Sequence, residues 1–334
     1  MTDSTAFTEQ FVPDRPTMLA ATRLAGRAPS VHNTQPWRLV FDGTRLHLFR
    51  DNDRLLVSAD PNGRQLVMSC GAMLHHLRTA FAAYGWHTDT LRLPDPGRLD
   101  YLAVVDFRRW PDPPAGVRAR ARAIEHRRTD RLPMLPPADF DELLHTTRML
   151  VHPHNLELDA LPEDARDRLT VASQHAAAVR RYDMEYQTEL HWWTGHTSGP
   201  EGVPKSVLAS DAEFARVGVG RTFPSAPHSA RRGELAADQA RLLVLSSTGD
   251  SVLEWLHTGE ALSAVLLECT VAGAASCALT HITELPAERK TIAALLPNPN
   301  LPQVVIRVGA APADEDQQLS PRRPVADILT FHQL

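Results

Sequence analysis

Two short segments carry residue types that could do chemistry. Residues 27–37 read Arg-Ala-Pro-Ser-Val-His-Asn-Thr-Gln-Pro-Trp and place Ser30, His32, Asn33, Thr34 and Gln35 within six positions. Ser, Asn and Gln donate and accept hydrogen bonds without charge, and Pro29 and Pro36 pin the backbone. Such a loop can hold its amides against a planar heterocycle. The same residue types also make an ordinary capped turn, and composition alone favours the turn. Residues 127–131, Arg-Arg-Thr-Asp-Arg, form the second segment. In an extended chain Arg127, Thr129 and Arg131 project to one side, which suits a phosphate. A solvated basic loop is the alternative. Arg322 and Arg323, between Pro321 and Pro324, add a second rigid arginine pair, which only the fold could bring to the first.

Other chemistries have no signature. There is no Gly-rich dinucleotide fingerprint, Walker loop, His-Glu-x-x-His or Gly-x-Ser-x-Gly. His75 and His76 are neighbours on an apolar helical pattern, and adjacent positions do not share a helix face. His191, His196, His228 and His281 lack ligand-like spacing. Cys70, Cys269 and Cys277 read as small buried hydrophobes.

The elements that must position these segments follow from periodicity and punctuation. Asp14 caps a helix over about 16–27. Asp42-Gly43 turns a hairpin between 38–41 and 45–49. A helix runs from Gly71 to Tyr84 and stops at Gly85, and a strand follows at 101–107. Helices are expected at 115–126, 137–147 and 161–190. Residues 191–230 are rich in Gly and Pro and read as an irregular cover or mobile insertion. A strand at 242–246, a helix at 251–273, a strand at 277–282, a helix at 286–295 and a strand at 303–308 complete the body. One echo is visible: Gly71 and Gly259 each open an apolar helical stretch that ends fourteen residues later at Gly85 and Gly273. It suggests a duplicated helix–strand unit.

The chain has 334 residues, 43% apolar and 22% charged, with a net charge of −5, enough for one large domain or two merged halves. No broad basic field exists, which argues against nucleic acid as a partner. Only Lys205 and Lys290 are lysines among 35 basic residues, so arginine alone does not mark an anion site. The first residues lack a secretory pattern and the most apolar stretch, 261–279, carries polar residues. A cytoplasmic protein with no membrane partner is expected.

Together these motifs resemble the nitroreductase superfamily. Ala28–Trp37 is similar to its flavin-contacting segment, and residues 127–131 to its Arg-x-Ser/Thr-x-Arg/Lys phosphate motif. From about residue 18 to 329 the chain resembles a narrower branch, the Acg family of actinobacterial nitroreductase-like proteins associated with dormancy. Matching stretches include SCGAMLHHLR, HWWTGHTSGPEGVP, GEALSAVLLECTVAGAASCALTHITEL, PQVVIRVG and PRRPV. The resemblance implies an α+β nitroreductase fold that binds FMN. Ordinary members build two sites between two chains. Here the Pro-Ser loop and the arginine motif each occur once, which implies two merged halves, 1–115 and 116–334, forming an internal pseudo-dimer. One FMN site would remain, with a lid-like insertion at about 191–230, and the chain would act as a monomer.

The resemblance also implies site roles. Arg127, Thr129, Arg322 and Arg323 would take the FMN phosphate, and Arg27 joins the cofactor-binding set. Arg131 would approach the N1–C2 edge of the flavin and stabilise negative charge there. Pro29, Ser30, Val31, Asn33 and Gln35 would contact the ring or the ribityl chain. Ala278, Leu279 and Thr280 match the strand edge near flavin N5. No residue is assigned as a catalytic acid, because the cofactor carries the chemistry. Two readings follow. One is an NAD(P)H-dependent oxidoreductase with hydride passing through N5; the other is an FMN store whose ring is covered by the lid.

Overall fold

A computed structural model describes residues 12–195, 199–224, 230–312 and 319–332. His196 and His228 lie outside them. The elements alternate between helices and short strands. The first half runs α1 (Arg15–Ala25), β1 (Trp37–Phe41), β2 (Leu46–Arg50), α2 (Arg64–Ala83), β3 (Trp86–Arg92), β4 (Tyr101–Arg109) and α3 (Ala115–His126). The second runs α4 (Phe140–Val151), β5 (Leu156–Ala160), α5 (Ala165–Arg180), α6 (Met184–Gly195), α7 (Asp211–Val217), β6 (Arg241–Ser247), α8 (Val252–Val271), β7 (Ala275–Leu279), α9 (Pro286–Ala293), β8 (Leu301–Gly309), α10 (Val325–Ile328) and β9 (Leu329–Phe331).

Two sheets form. One has the order β3-β4-β2-β1-β9, the other β7-β8-β6-β5. The first four strands of each sheet, read from that end, occur in matching order. In both, a central helix leads into the edge strand: α2 into β3, and α8 into β7. Likewise α1 packs on α2 as α4 packs on α8. The sheets differ in two connections: α9 lies between β7 and β8 but no helix lies between β3 and β4, and the larger difference is between the last two strands. In the first, β1 and β2 are joined by the tight Asp42-Gly43 turn, with Asp42 accepting from the Thr44 and Arg45 amides. In the second, β5 and β6 are separated by α5, α6 and α7. Strand β9 returns from the chain's end to pair in parallel with β1, Leu39 opposite Leu329.

The centre of the molecule is the α2–α8 crossing. Gly71 and Gly259 are each the eighth residue of their twenty-residue helices. A Cβ on Gly71 would lie 2.1 Å from the Leu256 carbonyl oxygen, and one on Gly259 would lie 1.9 Å from the Met68 carbonyl oxygen. The backbones therefore touch reciprocally, and only glycine fits. Apolar side chains of α1, α2 and the first sheet form one core cluster. Those of α8, α4 and one face of the second sheet form another. The second sheet's other face is covered from α5 and α9.

Several expectations are corrected. Helix α2 starts seven residues before Gly71, and the expected 161–190 helix is broken into α5 and α6. The break falls at Asp183, which accepts from the Tyr186 amide at 3.0 Å. Residues 191–230 are not wholly irregular: α6 extends to Gly195, and α7 is closed by a Ser210–Glu213 capping box. All three cysteines are buried and free. No helix among the described residues is long and apolar enough to cross a membrane.

Candidate functional site

A cavity of about 250 Å³ runs along one side of the helix crossing. Helix α2 contributes Gln65, Met68, Ser69 and Ala72, and α8 contributes Leu262 and Leu266. The edge strand β7 adds Ser276 to Leu279, followed by Thr280, and β8 adds Val304 and Arg307. The Pro29–His32 segment lies against the same space. Ala209, Asp211, Phe214 and Val217, with Gly220 to Phe223, complete the lining from the segment between β5 and β6. At one end stand Arg127, Thr129 and Arg131. That end continues into a polar recess of about 40 Å³ lined by Arg27, Asn33 and Arg322 as well.

The loop at 30–35 is unusual backbone. His32, Asn33 and Gln35 have φ of 47°, 58° and 51°, left-handed values that non-glycine residues adopt at a cost. Local hydrogen bonds hold it. The Gln35 amide donates to Ser30 Oγ at 3.0 Å, and the Val31 amide donates to Ser69 Oγ at 3.2 Å. The Asn33 side-chain amide donates to the carbonyls of Gly202 and Pro321. Thus the loop ties the covering segment and the C-terminal tail to the body.

Electrostatics at the polar end are one-sided. Arg127 is buried, and Arg322 donates to the carbonyl of Arg27 at 3.1 Å. The Nε atoms of Arg27, Arg127 and Arg322 are buried without a hydrogen-bond partner. Among the described residues no carboxylate forms an ion pair with any of the three. Burial, with Arg27 and Arg131 nearby, pulls the Arg127 guanidinium down to about 10. Burial, with Arg127 and Arg27, pulls Arg322 down to about 9. Three other buried arginines are paired with carboxylates: Arg307 bonds Asp238 at 2.7 Å, Arg232 bonds Asp130 at 2.7 Å, and Arg221 pairs with Glu284. Arg322 and Arg127 already donate to backbone carbonyls, but these bonds bring no negative charge, so the three guanidiniums leave the recess positive and suited to an anion.

The fold gathers most of the sequence-predicted residues. Pro29, Ser30, Val31, Arg127, Thr129, Arg131, Ala278, Leu279 and Thr280 line the cavity, and Arg27, Asn33 and Arg322 line the recess. Gln35 and Arg323 line neither. They bond each other, the Arg323 amide donating to Gln35 Oε1 at 2.8 Å and its Nη1 to the Gln35 carbonyl at 3.1 Å. Arg323 also reaches the Asp327 carbonyl. In this structure both serve to fasten the tail to the loop.

Sequence reasoning did not single out Arg221, Phe223, Gln65 or Glu284. Arg221 pairs with Glu284 and donates to the Tyr186 hydroxyl at 2.7 Å. Gln65 donates to Glu284 at 2.9 Å and accepts from the Thr280 hydroxyl. This cluster bolts the covering segment to α6, α2 and the loop after β7. Phe223 stands between two cavity residues: the Arg131 guanidinium lies 5.4 Å from its ring, and His32 meets it edge-on at 5.9 Å. No local pattern marks these residues, because the partners named here lie 35 to 219 residues away. His75 and His76 both approach the Ser263 hydroxyl at 2.7 Å, although adjacent on the helix. No cluster able to hold a metal exists among the described residues.

Known proteins place the chain. No family model matches it. A Mycobacterium tuberculosis protein provisionally named NAD(P)H nitroreductase acg is 43% identical over 314 residues, 94% of each chain. The chain belongs to the Acg family of nitroreductase-like proteins. A second M. tuberculosis member, Rv3131, also provisionally named an NAD(P)H nitroreductase, is 35% identical over 324 residues, covering 96% of this chain and 92% of that one. Among solved structures, the FMN-dependent nitroreductase NfnB from Mycobacterium smegmatis, in complex with NADPH, is similar at 17% identity and a TM-score of 0.40. It covers 65% of this chain and 99% of that chain. A provisionally assigned nitroreductase from Anabaena variabilis is 10% identical with a TM-score of 0.49, over 91% and 90% of the two chains. Membership of the Acg family rests on the sequence relatives.

Proposed function

We propose that this Acg-family chain binds one FMN in the 250 Å³ cavity and works as an NAD(P)H-dependent oxidoreductase. The observation that carries the reading is the convergence of buried Arg127 with half-buried Arg27 and Arg322, none ion-paired with a carboxylate among the described residues, at the end of an otherwise largely apolar slot. A phosphate supplies the missing charge, and Thr129 adds a hydroxyl. Pro29, Ser30 and Val31 lie against one part of the slot, and Ala278 to Thr280 against another, so that a flat ring is held between loop and strand edge. Arg131 places a cation where negative charge on the ring is stabilised. FMN, when bound, supplies hydride transfer; the chain's residues bind, orient and shield it.

The matching strand orders and the reciprocal glycine contact support two merged nitroreductase-like halves, so that a single chain supplies both sides of the site. A second reading, FMN storage, is favoured by one observation. Phe223 lies inside the cavity lining and its neighbour Arg221 is bolted to Glu284 and Tyr186, so residues 209–223 cover the slot.

Anaerobic stopped-flow mixing of FMN-loaded protein with NADH or NADPH separates these readings. Rapid loss of oxidised-flavin absorbance with one nucleotide is the expected result. A bound flavin that ignores both nucleotides but is reduced by dithionite selects storage. Failure to bind FMN overturns both.

A further inference from the structure

Among the described residues His32 is the one imidazole in the cavity lining, and the roles assigned above do not use it. The residue is 6% exposed, and neither ring nitrogen has a hydrogen-bond partner among the described residues. Buried polar atoms are nearly always paired, so two on one ring call for an explanation. Burial and the cations of Arg221 and Arg131 hold the imidazole neutral, its pKa well below 6.5. A neutral imidazole carries one N–H donor and one acceptor. The backbone presents it at a cost: φ is +47°, and the amides around it are tied to Ser30 and Ser69 instead. The ring meets Phe223 of the covering segment edge-on at 5.9 Å.

We infer that His32 and Phe223 form a subsite for the electron acceptor, with the His32 N–H donating to a carbonyl or nitro oxygen while Phe223 packs on the acceptor's ring. The subsite fits a planar aromatic or quinone-type molecule with at least one such oxygen. Arg131 and Arg221 add positive potential around that oxygen. The inference rests on the reading that FMN fills the neighbouring part of the cavity. His32 is a positioning residue for the second ligand.

Two variants test this in the FMN-loaded protein. His32→Phe keeps an aromatic ring beside Phe223 and removes both nitrogens, while His32→Gln keeps a side-chain donor. FMN affinity is read by flavin fluorescence. Binding of 1,4-naphthoquinone, and of naphthalene as an oxygen-free control, is read from the oxidised flavin's absorbance. The expected result is naphthoquinone binding about tenfold weaker in His32→Phe, the size of one buried hydrogen bond. His32→Gln should recover to within about threefold, and FMN and naphthalene should be unchanged in both. An equal loss for naphthalene would reduce His32 to packing, and a tenfold loss of FMN would make it a cofactor contact. Unchanged naphthoquinone binding in His32→Phe, or none in the unmodified protein, overturns the subsite. Failure of the unmodified protein to bind FMN refutes instead the reading on which the subsite rests.

Discussion

Ala72 stands at the ninth position of α2, and Glu260 stands at the ninth position of α8. Around Ala72 the side of the helix pair is open. Its equivalents on the other side are filled: His257 stands where Ser69 does, Glu260 where Ala72 does, and Arg78 where Leu266 does. Glu260 is fully buried and bonds Arg92 at 2.6 and 2.8 Å and Arg78 at 3.2 Å. Against its burial, the Arg92 bonds and charge hold the carboxyl below its ordinary range. So each side of the crossing carries an arginine group, but only one group is neutralised from within. A balanced group fixes the fold, whereas a group left positive retains binding energy for an anion.

Breaking the shared element should cost most. Gly71→Ala and Gly259→Ala each drive a methyl group into a backbone carbonyl. Each should lose more than about 3 kcal/mol of stability, the pair agreeing within about 1 kcal/mol because the contacts are reciprocal. Thermal melts of both variants by circular dichroism check this; a large inequality would deny that the halves are equivalent at the crossing. Next comes the filled side. Glu260→Gln leaves Arg78 and Arg92 without their counter-charge and should cost about 3 kcal/mol in urea unfolding, with FMN affinity unchanged. On the open side the pattern inverts. Arg127→Met should weaken FMN about 10- to 100-fold by fluorescence titration, and the flavin-free variant should melt higher than its parent because like charge is removed. A flavin-free protein destabilised by this change would mean that Arg127 is structurally compensated after all.

The smallest effect is a pH slope. Burial and the cations of Arg127, Arg322 and Arg27 hold His76 neutral, its pKa well below 6.5, while an unfolded histidine titrates near 6.5. Below that pH the unfolded chain therefore binds more protons than the folded one, and stability falls as pH falls. His76 accounts for about 1.4 kcal/mol per pH unit there, and His76→Gln should flatten the stability-versus-pH plot by that amount. Above pH 7 the two proteins should show the same slope.

Much of this was legible along the chain, and the gaps have physical causes. The Asp14 cap, the Asp42-Gly43 turn and α3 at 115–126 stand where local chemistry puts them. The first turns of α2, Arg64 to Cys70, were missed because every one of them is buried, so no polar face gives the period. Edge strand β3, Trp-His-Thr-Asp-Thr-Leu-Arg, has too few apolar positions to alternate clearly, whereas edge strand β5, Leu-Glu-Leu-Asp-Ala, does alternate but over only five residues. Helix α7 did leave a signal: Ser210-Asp-Ala-Glu213 is a capping-box pattern. At the candidate site, the motif residues could be listed in advance. Which of them turn inward could not, since Gln35 and Arg323 differ from Asn33 and Arg322 only in which tertiary partner they meet.

The long passage between β5 and β6 has a consequence for how such a molecule can change. Its counterpart in the first sheet is a turn of four residues, Asp42 to Arg45. When two like sheets come from separate copies of one gene, any added segment appears over both. When both lie on one chain, a segment can be inserted over one sheet while the other keeps its short turn. Here α5, α6 and α7 occupy the longer of two such passages, the other being α9 between β7 and β8, and the side of the helix pair away from the cavity is filled with charge.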